Sequence, residues 1–174
     1  LVDAFDRKIG TAEKTEAHRS PMLHRAFSAF VHHDGKMLIQ QRAAHKYHSG
    51  GLWANACCSH PQDGEKTAEA AMRRMEEEIG VSGVEARKLF SFVYMNKFRD
   101  DMYEYEYDHV FLADYGGALA VNGDEIGDIR WVEFAQLARQ LRAAPEMFAS
   151  WFLIAAPRVL RGLCRQTARA KRIG

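Results

Sequence analysis

The sequence predicts a mixed α/β (α+β) sandwich, and three observations carry that prediction. Strand-like runs stand on both sides of one strongly periodic helix, two helical stretches follow the last strand, and 174 residues suit a single domain. Hydrophobic residues at 47% and charged residues at 27% match an ordinary soluble chain long enough to bury a core.

The elements follow in order. Residues 1–5 read as a short apolar strand turned by residues 6–10. Residues 25–33 alternate Phe27, Ala29 and Val31 with Ala26, Ser28 and Phe30, a strand apolar on both faces. Asp34-Gly35 is a two-residue hairpin signal leading into residues 36–41. Residues 46–64 carry Gly50, Gly51, Pro61 and Gly64 among polar residues and read as a long structured loop, a length usually tied to function. A helix spans residues 65–79, with Ala68, Ala71, Met72, Met75 and Ile79 as its apolar stripe and Gly80 as its stop. Residues 89–95 and 103–114 are strands joined by the charged connector 97–101, and residues 130–132 form a short one. Helices at 134–143 and 147–163 flank Pro145, and Pro157 is expected to kink or divide the second. From about residue 147 the chain is a C-terminal helix and basic tail. Glu146 is the last acidic residue, while Arg158, Arg161, Arg165, Arg169, Lys171 and Arg172 recur as a solvated basic face.

A formal net charge of +1 gives no electrostatic case for nucleic acid or a membrane as the main partner, so any anion site must be local. Cys57, Cys58 and Cys164 form no disulfide framework and fit a reducing compartment. With no signal-peptide pattern and no apolar run near the roughly 18 residues of a span, a cytoplasmic protein is expected. Monomer and weak dimer both remain open.

Chemistry concentrates in the stretch Leu52-Trp53-Ala54-Asn55-Ala56-Cys57-Cys58-Ser59-His60-Pro61. A thiol two residues from an imidazole serves as nucleophile and base, as proton donor, or as metal ligands. A buried structural cysteine beside a surface histidine is the plain alternative. His18 and His24 lie upstream in a polar segment that no core requires. Glu104 and Glu106 alternate with Tyr103, Tyr105 and Tyr107, so both carboxylates share one strand face. Three histidines and two carboxylates suit magnesium or manganese in an octahedral nitrogen and oxygen site, and zinc is chemically compatible.

Placing Gly80-Val81 at the end of a Nudix box sets Glu65, Arg73, Met75, Glu77 and Glu78 on its pattern. Ser59 stands where that box begins with glycine, and Arg74 where its first metal-binding glutamate belongs. An arginine there repels a metal and attracts a phosphate, so the chain looks like a Nudix fold that has given up pyrophosphate hydrolysis. A solvated charged helix face explains the same residues more plainly.

With the Trp-x-Asn-x-Cys-Cys-x-His-Pro stretch, the two upstream histidines and Tyr-Glu-Tyr-Glu, this box resembles type 1 isopentenyl diphosphate isomerases over residues 13–151. The resemblance implies a Nudix-like mixed sheet sandwiched by helices, with residues 1–174 as one isomerase domain. It implies interconversion of isopentenyl and dimethylallyl diphosphate, with Cys58 and Glu106 catalytic. It makes His18, His24, His60, Glu104 and Glu106 ligands of a Mg2+ or Mn2+ ion, and Cys58 is counted among the metal-site residues. Glu78 would help hold a second Mg2+ that accompanies the diphosphate. Lys14, Arg42, Lys46 and Arg74 would bind that diphosphate next to Ser59. Trp151 would shelter the developing cation, and Tyr94 would support the glutamate. The partner implied is a small-molecule diphosphate. Two other readings compete: a Nudix hydrolase of nucleoside diphosphate derivatives, and a non-catalytic metal-dependent binding module.

Overall fold

A strand that is apolar on both faces needs a covering layer on each, and the sheet is built to supply them. The fold is given by a computed structural model. The described residues are 1–46, 48–98 and 101–173, with side-chain surroundings described as far as residue 165. Part of the connector predicted at 97–101 lies outside them, as do the side chains of Arg169, Lys171 and Arg172.

In chain order the elements are α1 (Lys14–Arg19), β1 (His24–His33), β2 (Lys36–Arg42), β3 (Trp53–Asn55), β4 (Cys57–Ser59), α2 (Thr67–Ile79), β5 (Arg87–Lys97), β6 (Tyr103–Asp114), β7 (Ile126–Glu133), α3 (Phe134–Ala143), a 3-10 turn (Pro145–Met147) and α4 (Ser150–Ile173). The seven strands form one sheet in the order β3-β2-β1-β6-β5, with β4 also paired to β1 and β7 to β2. β1 runs parallel to β6, and the other described pairings are antiparallel. This is the mixed α+β architecture expected.

The two faces of β1 separate as its alternation requires. Phe27, Ala29 and Val31 pack with Leu38 and Cys57 beneath Ala70, Ala71, Met75 and Ile79 of α2. Phe30 packs on the opposite side with Met37, Val110 and Leu112, under Leu137 and Leu141 of α3 and Phe152, Ala155 and Val159 of α4. Burying a side chain such as Phe30 or Phe152 is worth about 1.5–3 kcal/mol, so these two layers hold the sheet in place. Asp34 (φ 45°) and Gly35 (φ 76°) make the predicted turn between β1 and β2 with the left-handed pair that a tight hairpin demands. α2 stops at Gly80, whose φ of 70° and approach to Ala120 (2.7 Å from an added Cβ) both exclude a side chain.

Several elements differ from expectation. Residues 1–5 form no strand beyond an isolated bridge between Val2 and Lys8, because the Asp3 carboxylate accepts the Phe5 and Arg7 amides and curls the segment. The stretch 46–64, read as loop, contains β3 and β4. Each has three residues, too short to show a period, and each is a strand because β2 or β1 offers it a partner. β7 runs from Ile126 to Glu133 rather than over three residues, since β2 pairs along it. The last helix begins at Ser150 after the 3-10 turn. Pro157 does not divide it; the one backbone bond lost is offset by the apolar face that α4 buries on the sheet.

Candidate active site and metal centre

Strand parity decides which thiol faces which layer. β4 pairs antiparallel with β1, Cys58 opposite Ser28 and Cys57 opposite Ala29. Cys57 therefore points into the α2 layer, fully buried, while Cys58 points to the α4 side with Ser28. On that side a cleft is lined by Lys14, Phe27, Ser28, Arg42, His48, Cys58, Ser59, His60, Tyr94, Glu104, Glu106 and Trp151. The same alternation along β6 brings Glu104, Glu106 and Asp108 to this face, and the parallel register sets His24 of β1 beside Glu106.

His18, His24, His60 and Glu106 offer ligand atoms that all lie within 4.8 Å of one another. His60 Nε2 is 3.2 Å from His24 Nε2 and 3.1 Å from Glu106 Oε1, and His24 Nε2 is 3.6 Å from that oxygen. Adjacent vertices of an octahedron with bonds of about 2.1 Å are about 3 Å apart, so these spacings fit a small divalent ion. The rings are also held in the correct tautomer. His18 Nδ1–H donates to the Lys14 carbonyl (2.7 Å) and His24 Nδ1–H to the Met22 carbonyl (2.8 Å), which leaves the lone pair on Nε2 in each. Burial lowers His18 to about 4 and also lowers His60, so both rings are neutral near pH 7. His18 was expected in a polar segment outside any core. Instead α1 carries it inward until 1% of it is exposed.

Glu104 stands beside this group rather than within it. Its Oε1 is 3.1 Å from His48 Nδ1, and its Oε2 accepts from the Tyr94 hydroxyl at 3.1 Å. The same hydroxyl lies 2.7 Å from Glu106 Oε2. One phenolic proton cannot satisfy two anions, and burial together with the Glu106 charge pushes Glu104 well above the usual carboxylate range. Burial opposes the charge on Glu106 as well. The His24 and His60 imidazoles beside it outweigh burial and hold that carboxyl well below its ordinary value. Across the cleft, burial pushes the Cys58 thiol up to about 12 despite Arg42, whose Nη1 lies 3.7 Å from Sγ. Cys58 thus carries its proton at neutral pH. The indole of Trp151 closes the site, its ring centroid 5.5 Å from the Arg42 guanidinium carbon.

The remaining predicted residues lie outside the cleft. Lys46 is ion-paired with Glu125. Arg74 is held by Glu77 (2.7 Å), Glu78 (2.5 Å) and Glu125 (3.2 Å), and Glu78 is buried on the inner face of α2 near Cys57. Arg74→Met should leave Glu78 a buried carboxyl without its cation and cost on the order of 2–4 kcal/mol in chemical denaturation. A change within 0.5 kcal/mol would mean that the pair is solvated.

Three residues at the site have no role assigned to them from the sequence. His48 sits in the stretch 46–64, just before Gly50 and Gly51. Asp108, raised to about 8 by burial and the Glu106 charge, accepts from Ser28 Oγ at 2.8 Å. Asn55 accepts the Trp151 indole N–H at 3.0 Å. Asn55 lies in the Trp-x-Asn-x-Cys-Cys-x-His-Pro stretch, and Asp108 was within reach, since it extends the Glu104, Glu106 alternation by one step.

The NUDIX domain family matches residues 22–152. An isopentenyl-diphosphate Delta-isomerase 2 of Aromatoleum aromaticum is 45% identical over 100% of this chain and 93% of its own length. An isopentenyl-diphosphate Delta-isomerase of Serratia proteamaculans is 43% identical over 88% and 86%. Among solved structures, a Deinococcus radiodurans protein superimposes with a TM-score of 0.74 at 22% identity, covering 91% of this chain and 96% of that one. A MutT NUDIX hydrolase from Burkholderia pseudomallei gives 0.64 at 20% identity over 78% and 97%; both likenesses concern the fold. The chain therefore belongs to the isopentenyl-diphosphate Delta-isomerase family, built on a NUDIX domain.

Proposed function

We propose that this protein interconverts isopentenyl diphosphate and dimethylallyl diphosphate, with Cys58 and Glu106 as the proton-transferring pair. The observation that carries the reading is the grouping of a protonated thiol, an ionised carboxylate and an indole face around one cleft. Moving a double bond from the end of a five-carbon chain inward adds a proton at the terminal methylene and removes one from the allylic carbon. An alkene is a weak base, so the species between is a tertiary cation. It needs a donor, an acceptor, an aromatic face and exclusion of water. Tyr94 steadies Glu106 through its hydroxyl. Lys14 and Arg42 line the same cleft and meet the diphosphate, while Trp151 faces the hydrocarbon end. Binding energy at the charged end thereby orients the small apolar end.

His18, His24, His60 and Glu106 would hold the divalent ion, Mg2+ or Mn2+, with Glu104 next to them. When bound, such an ion supplies positive charge beside the Glu106 carboxylate and lowers its affinity for a proton. Lys46, Arg74 and Glu78 are the candidates for contacts to a diphosphate that extends beyond the cleft and to its accompanying Mg2+. Their present ion pairs would have to exchange for those contacts.

Proton NMR of the purified protein with isopentenyl diphosphate and Mg2+ in deuterated water tests the assignment. The expected result is the dimethylallyl isomer carrying deuterium. Release of phosphate or pyrophosphate with no isomer would replace this reading with a hydrolase.

A further inference from the structure

Asn55 is completely buried, and each polar atom of its side chain is engaged. Oδ1 accepts the Trp151 indole N–H at 3.0 Å, while Nδ2 donates to the Ala29 carbonyl at 3.1 Å and the Cys57 carbonyl at 2.5 Å. One amide therefore joins β3 to β1, to β4 immediately before Cys58, and to the first turn of α4. The backbone repeats part of this link, because the Ala149 amide donates to the Trp53 carbonyl at 2.9 Å.

We infer that Asn55 is a positioning residue that fixes the indole plane of Trp151 relative to the strand carrying Cys58. A flat ring in an apolar pocket has two χ2 orientations of similar packing, and a hydrogen bond to its single donor selects one. With the N–H held on Asn55, the indole is set in one orientation where it lines the cleft. Because Nδ2 also holds the carbonyl of Cys57, the next peptide places the Cys58 thiol in the same frame. The hydrocarbon end of the substrate is thus bounded by two groups whose relative position one side chain sets. The kinetic consequence rests on the isomerase reading; the hydrogen bond and its effect on the ring do not.

The test replaces Trp151 with 3-benzothienylalanine, which keeps the shape and π face of indole and lacks the N–H. It is paired with Asn55→Ser and with the combination of the two. The benzothienyl variant is expected to lose at least ~10-fold in kcat with KM within ~3-fold, since the diphosphate anchors are untouched. Asn55→Ser should lose at least as much, and the combination should lose no more than Asn55→Ser alone. Wild-type kcat in the benzothienyl variant, or losses that multiply in the combination, would overturn the inference. If Asn55→Ser fails to fold, the benzothienyl variant decides by itself. Should the wild type prove to have no isomerase activity, exchange of the Trp151 indole proton with solvent still discriminates. Slow exchange in the wild type supports the anchoring, and fast exchange refutes it.

Discussion

Cys58→Ala should lower turnover by roughly 10²–10⁴-fold or more, the range for removing a proton-transfer group, while Cys57→Ala keeps most of the activity. The two thiols are neighbours in sequence and chemically identical, so the difference arises entirely from the pleat of β4. Cys58 enters the cleft opposite Ser28, and Cys57 enters the α2 layer opposite Ala29. Loss of the Cys57 sulfur should appear as about 1 kcal/mol of stability at most, from a small void under α2. The measurement is isomerisation rate and thermal midpoint for both variants. Equal kinetic losses, or an active Cys58→Ala, would remove the thiol from the chemistry. Because burial keeps Cys58 protonated, alkylation should be slow for an accessible thiol and slower still with substrate bound.

Glu106→Gln should reduce turnover to the limit of detection, by roughly 10³-fold or more, and weaken metal binding at the same time. One oxygen of Glu106 meets His24 and His60, the other meets Tyr94, and an amide cannot hold negative charge at either place. Glu104→Gln leaves all four clustered donors intact and should cost less on both counts. Titration calorimetry with Mn2+, alongside the isomerisation rate, separates the two. An inactive Glu104→Gln whose metal affinity falls below that of Glu106→Gln would exchange their assigned roles. Metal should also raise the unfolding midpoint of the wild type, and its affinity should fall as acid protonates the clustered histidines.

Much of this site was legible because strand alternation is a rule of covalent geometry. Glu104 and Glu106 share a face by parity, and the two-residue step from Cys58 to His60 puts thiol and imidazole on the same side. The layers about β1 followed equally from its two apolar faces. Long-range placement was not legible. α1 has six residues and no apolar stripe, and it buries His18 through contacts with β6 that lie far along the chain. β3 and β4 are strands because their neighbours provide edges. Asn55 and His48 belong to the site through partners almost a hundred and over fifty positions away, Trp151 and Glu104. Arg74 shows the converse. Its charge pattern reads as an open phosphate site, yet Glu125, from a distant loop, helps to occupy it.

The parallel pairing of β1 with β6 has a consequence for how the protein forms. Its register brings His24 against Glu106, so the two strands meet only after some eighty intervening residues have been looped out. Closing so large a loop is slow, because its entropy is lost before any contact compensates it. Hairpins such as β1–β2 and β5–β6 have short connections and can zip early. The seam between them must then close before His24 and Glu106 can approach one another. A chain stalled before that step would hold both hairpins and no donor cluster. Metal added during refolding should therefore leave the early phases unchanged and act on the last one, chiefly by slowing the reopening of the seam.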